Sequence, residues 1–305
     1  MKTKNAILLL ITSIIWGTAF VAQAAGAKIM EPFTFNGIRC LLGGVALLPV
    51  IFFNSKFAPK TEEMKGYKKK DLLIGGTLCG LLLFSASSVQ QLGMSDTTAG
   101  KAGFITAFYI VLIPIFGIFL RKKTTWKVWV AVMIAFIGLY FLCIKGDFTV
   151  SRGDIFVFAS AIFFSCHVLV IDHFSPKVDG IKMACMQCFI TGFLSLPIML
   201  IFETPQIADM KQGWFSLLYA GVFSCSIAYT LQILGQKNVD PVKSSLIMSL
   251  ESVFSVIGGV IILHETLTGR ELLGCILMFS ATILAQIPGK VREKKTEAEP
   301  CEQNL

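Results

Sequence analysis

The chain has 305 residues, 54% of them hydrophobic and 15% charged, with a mean hydropathy of +0.72 and a formal charge of +8. Soluble domains carry roughly 25% charged residues, so the pair of ordinary soluble domains that this length would allow is excluded. The basic charge invites a nucleic-acid partner, but its distribution along the chain excludes that as well.

The first apolar run, 5–25, follows Lys2 and Lys4 and ends near Ala22-Gln23-Ala24, which mimics a cleavable signal peptide. A counterpart of this segment deep in the chain argues against cleavage. Runs long enough to cross ~30 Å of hydrocarbon as helix recur at 33–53, 71–92, 99–120, 126–144, 154–172, 181–202, 213–234, 241–263 and 270–288. Loops are short and no soluble domain is left over. The sequence therefore predicts an all-α integral membrane protein of ten transmembrane helices. The tail from about Lys290, KVREKKTEAEPCEQNL, is charged and expected to be disordered in the cytoplasm.

Counted from an inside N-terminus, inner segments hold twenty Lys and Arg, including Lys68, Lys69, Lys70, Arg121, Lys122 and Lys123. Outer loops hold six: Lys28, Lys101, Lys145, Arg152, Lys211 and Arg270. This is the positive-inside bias. It predicts a multi-pass protein of the cell (plasma or inner) membrane with both termini cytoplasmic, and it makes the basic charge an orientation signal. The expected partners are the lipid bilayer and a small-molecule substrate, with no nucleic acid; a homodimer is compatible with this reading.

The chain matches itself. At an offset of 148, Cys40, Gly44, Leu48 and Pro49 fall on Cys188, Gly192, Leu196 and Pro197. At 142, Gln90, Leu92, Gly93, Lys101, Ile105, Gly117 and Thr124 fall on Gln232, Leu234, Gly235, Lys243, Ile247, Gly259 and Thr266. Two five-span units are fused, over 1–146 and 147–289, ahead of the tail at 290–305. Five is odd, so the second unit enters the membrane from the opposite side. The charges agree, because loops after spans 2 and 4 are heavily basic while those after spans 7 and 9 keep only Lys211 and Arg270. Inverted repeats of this kind hold a transporter's substrate site near the midplane, between the halves.

Three stretches, IIWGTAFVAQ (14–23), AGKAGFITAFYIVLIPIFGIFLRKK (99–123) and SLIMSLESVFSVIGGVIILHETLTGRELLG (245–274), resemble paired EamA-type domains of the drug/metabolite transporter superfamily. The similarity covers roughly 5–288. It implies ten helices in two inverted units around a central cavity, and export or exchange of small metabolites, often amino acids or related compounds. Two departures are plain. Where the family commonly has Glu-Pro this chain has Glu251-Ser252, and after span 4 it has Arg121-Lys122-Lys123 in place of Gly-Glu.

Glu251 is the most telling residue. Asp240-Pro241 reads as N-cap and first helical residue, which starts span 9 and puts Glu251 ~15 Å deep. A carboxylate facing lipid there costs several kcal/mol, so it is expected to face the bundle interior, as a proton-coupling or amine-binding group or as a structural carboxyl. Its repeat mate is Tyr109. Lys101 and Lys243, mates at the first turns of spans 4 and 9, read as entrance charges for an anionic group, with snorkelling as the simpler account. Arg39, about seven residues into span 2, is the other costly charge, for ligand binding or helix packing. His167 could titrate near neutrality, though a lone His on an apolar helix more often hydrogen-bonds within the core. Trp16 and Tyr229 could wall a cavity.

Glycines at 43, 44, 75, 76, 80, 258 and 259 fit close helix approach, Gly76 and Gly80 as a Gly-x-x-x-Gly. Cys185-x-x-Cys188 reads as small buried hydrophobes. No catalytic, cofactor or metal site is expected: His264-Glu265 lacks the second His of H-E-x-x-H, because residue 268 is Thr. Neither a Walker A nor a Gly-x-Ser-x-Gly motif is present. A secondary transporter is the first reading, with an integral-membrane enzyme or lipid-handling protein and a passive channel as the alternatives.

Overall fold

The computed structural model describes residues 1–57, 66–97, 99–120, 125–143, 150–263 and 268–287, with backbone alone for 99–101, 143 and 258–263. Every regular element among them is helical. The first repeat holds α1 (Thr3–Ala27), α2 (Pro32–Phe57), α3 (Lys69–Gly93), α4 (Ala99–Thr106), α5 (Tyr109–Phe119) and α6 (Trp126–Cys143). The second holds α7 (Arg152–Phe174), α8 (Gly180–Phe202), the short α9 (Ile207–Gln212), α10 (Trp214–Leu218), a π-helical stretch (Tyr219–Ala228), α11 (Tyr229–Gln236), α12 (Pro241–Met248), α13 (Glu251–Leu263) and α14 (Gly269–Gln286).

Each predicted span has a helix, and among the described residues seven helical runs, Ala102–Phe119 and Trp214–Gln236 each counted as one, are long and apolar enough to cross a membrane. The starts follow from local chemistry. Asp179 accepts from the Ile181 and Lys182 N–H groups, and Asp240 from Val242 and Lys243 with Pro241 in the first turn. Ser151 with Asp154, and Thr268 with Glu271, form reciprocal capping boxes.

Polarity is distributed as a bilayer solvent requires. Thr12, Ser13, Asn36, Ser165, Gln187 and Gln236 are fully buried, while Phe53, Phe119, Phe193, Leu200 and Ile283 lie exposed on the outside. In water such a surface would aggregate; against lipid it costs nothing, and the inward polar groups bridge helices.

The packing follows a two-fold. α1 packs on α11, α12 and α13 of the second repeat, and its counterpart α7 packs on α3, α4 and α5 of the first. α2 packs on its counterpart α8 and on the π-helical stretch; α8 returns the contact to α3. α6 and α14, also counterparts, pack along each other. Gly76 and Gly80 face Met186 and Ile190 of α8, so close that a Cβ would meet each at under 3 Å. The Gly-x-x-x-Gly is thus one half of an inter-repeat contact.

One expectation is corrected. Spans 4 and 9, taken as continuous helices, each break at the same repeat position, Ala107-Phe108 and Ser249-Leu250. The Phe108 N–H reaches back three residues to Ile105 O (3.2 Å), and Leu250 to Ile247 O (3.1 Å). Ile110 does the same to Ala107 O (3.0 Å), and Ser252 to Ser249 O (3.2 Å). Each second-repeat bond is its first-repeat partner moved 142 residues along the chain. In span 9 serines compete for the helix carbonyls, Ser245 Oγ donating to Val242 O (2.8 Å) and Ser249 Oγ to Leu246 O (3.0 Å). α5 carries Pro114 six residues beyond Phe108, which removes a further ladder bond.

Candidate functional site

Tyr109 opens α5 and Glu251 opens α13, so both stand at the start of a half-helix. The two-fold brings them together: the Tyr109 hydroxyl donates to Glu251 Oε1 at 3.4 Å. Both are buried in the protein, Glu251 being 4% exposed. What brings α13 so close is Gly17 of α1. A Cβ there would sit 2.5 Å from Glu251 O, 2.8 Å from Phe254 Cβ and 2.9 Å from Ser255 N. The Trp-Gly pair of α1 thus divides its work, glycine admitting the backbone of Glu251 while Trp16 turns into the centre.

That centre is a cavity of about 60 Å³, measured to the centres of water-sized spheres and lined by sixteen residues. A single water needs ~10–15 Å³ on that measure, so it has room for a few waters or a short organic group. Five pairs of lining residues are repeat mates: Trp16 with Phe164, Phe20 with Val168, Gln90 with Gln232, Thr106 with Met248, and Tyr109 with Glu251. The cavity therefore lies on the two-fold axis. Its chemistry is not symmetric, since a hydroxyl faces a carboxyl.

Around it, Trp16 packs edge-on against Tyr229 (centroids 5.1 Å) and Tyr229 against His167 (5.9 Å). His167 Nε2 is 2.9 Å from Gln187 Oε1, which ties α7 to α8. Gln90 Nε2 donates to Thr106 Oγ1 at 2.9 Å. The π-helical stretch, a wide turn common at functional sites, presents Ser224 and Cys225 to the cavity. Arg39 reaches it from α2 and is 4% exposed.

Comparison with known proteins decides the family. The model of the EamA-like transporter family matches residues 3–144 and again 151–286. This chain belongs to the EamA-like transporter family. An uncharacterized transporter of Archaeoglobus fulgidus is 30% identical over 280 residues, covering 92% of this chain and 84% of its own. YoaV of Bacillus subtilis, also named an uncharacterized transporter, is 23% identical over 87% of this chain and 91% of its own. A crystal structure that covers 94% of this chain and 99% of its own superimposes with a TM-score of 0.77 at 16% identity; it shows the same fold.

Of the eight residues singled out from the sequence, this EamA-like chain gathers six on the one cavity: Trp16, Arg39, Tyr109, His167, Tyr229 and Glu251. Lys243 is half-buried in the first turn of α12 and does not line it. The Lys101 side chain, the tail and the incomplete His264-Glu265 motif lie outside the described residues. Cys185 and Cys188 donate separately, to Gly44 O (3.6 Å) and Cys225 O (3.3 Å), as packing thiols do. Sequence reasoning missed Gln23, Ser224 and Cys225 as lining residues. It also passed over Gln90 and Gln232, although their identity at matching repeat positions was already a signal.

Proposed function

We propose that this chain is a secondary transporter that moves a small metabolite by alternating access about the two-fold, with Glu251 as the coupling or substrate-binding carboxyl. The observation that carries it is the meeting of two half-helix starts, Tyr109 and Glu251, in a central cavity built from repeat mates. Interrupted helices at a repeat interface leave backbone groups and dipole ends for a ligand, where continuous helices would offer only side chains. Family membership and transporter-named relatives support the same reading. The charge asymmetry supports cytoplasmic termini in the plasma or inner membrane.

The test is release from liposomes loaded with a mixed metabolite extract, followed by mass spectrometry with and without a pH gradient. Wild-type protein should deplete a few compounds selectively, faster with the gradient. Glu251→Gln should lower that release by about tenfold or more while the protein stays folded. Release that ignores both gradient and substitution would remove Glu251 from the mechanism. No selective release from folded protein would overturn the transporter reading.

A further inference from the structure

Charges inside a membrane protein normally find an opposite charge, because a buried ion left alone costs several kcal/mol. Arg39 breaks that pattern. Among the described residues no carboxylate lies within 4 Å of its guanidinium. Glu251 shares the cavity but has the Tyr109 hydroxyl as its partner.

Among the described residues the guanidinium is held by neutral oxygens alone. Nε and Nη2 both donate to Asn36 Oδ1, at 3.1 and 2.9 Å, and Nη1 donates to Gln23 Oε1 at 2.7 Å. The Phe35 ring covers one side, 5.4 Å from Cζ. Asn36 is fixed in turn, its Nδ2 donating to Ser88 Oγ at 3.1 Å and Ser195 Oγ at 3.5 Å. These contacts aim the group without neutralising it. Of five N–H donors on an arginine, one on Nη1 and one on Nη2 are left over among the described residues. The repeat mate of Arg39 is Gln187, which meets His167, so the second repeat has no equivalent charge. Gln232 also lines the cavity, is 2% exposed, and its Oε1 accepts no hydrogen bond among the described residues.

We infer that Arg39 is the anion-binding residue of the cavity: its two remaining N–H groups take the oxyanion, carboxylate or phosphate, of a small organic substrate whose own N–H or O–H group reaches Gln232. Gln23 and Asn36 are positioning residues, since they act through the guanidinium. This inference rests on the cavity being the substrate site. It names the charge of what binds there.

Cys225 lines the same cavity and lies in the field of Arg39, so its thiol reports local charge without any flux measurement. The experiment compares two methanethiosulfonate reagents of similar size, the anionic sulfonatoethyl and the cationic trimethylammonioethyl forms. Rates at Cys225 are read by site-resolved mass spectrometry on purified full-length protein. A Cys40→Ser background is used because Cys40 Sγ lies 3.9 Å from Cys225 Sγ and could form a disulfide with it. Relative to free glutathione, the anionic reagent should be favoured by about tenfold or more, as a fixed charge enriches counter-ions locally. Arg39→Lys should keep the preference and Arg39→Gln should abolish it. Acetate and inorganic phosphate are the competitors: slowing by acetate points to a carboxylate substrate, and slowing by phosphate to a phosphate.

A preference unchanged in Arg39→Gln, a cationic preference in the wild type, labelling slowed by neither competitor, or no labelling of Cys225 would each overturn the inference. Because labelling needs no transport, this failure is distinguishable from failure of the liposome test.

Discussion

At the scale of the residue, the interior is organised around two costly charges that do not meet. Arg39 is solvated by amides and Glu251 by a phenol. Tyr109→Phe should remove one long hydrogen bond worth about 0.5–1.5 kcal/mol. Gradient-driven release should then fall a few-fold, well short of the loss in Glu251→Gln; equal losses would mean that Tyr109 does more than hold the carboxyl. These residues were legible in the sequence for one reason, that a charged group in an apolar run is expensive and must be answered. Lys243, expected at an entrance in the first turn of span 9, stands in the first turn of α12, clear of the cavity. Ser224 and Cys225 gave no such signal, since small polar side chains are cheap anywhere in a bundle.

At the scale of the element, the broken spans were not legible. No Gly or Pro stands at Ala107-Phe108 or Ser249-Leu250, and the turn is tightened by backbone bonds that periodicity does not encode. Helix starts, by contrast, were written in the chain, as Asp240-Pro241 shows. Gly17 tests how tightly these elements are set. Gly17→Val should press α1 against the backbone at Glu251 and cost about 1–3 kcal/mol as overpacking, seen as a lowered melting temperature of the purified protein. Gly269 meets nothing within 4 Å, so Gly269→Ala should stay within about 0.5 kcal/mol of wild type. Equal effects at the two sites would contradict the packing described for α1 and α13.

At the scale of the whole molecule, the repeat seen as scattered identities becomes a two-fold that relates packing partners, backbone bonds and cavity walls. Its charge bias predicts orientation: an impermeant maleimide on intact cells should label Gln212→Cys above wild-type background and leave Lys68→Cys at background. The reverse pattern would turn the protein over. The central claim is that the cavity opens to one face at a time, and counterflow tests it most directly. Liposomes are preloaded with the compound identified by selective release, then given trace label outside. The account predicts a transient overshoot of label inside that saturates and needs the unlabelled compound on the far side. Label that equilibrates steadily, at a rate indifferent to what is inside, would show an open passage and contradict alternating access.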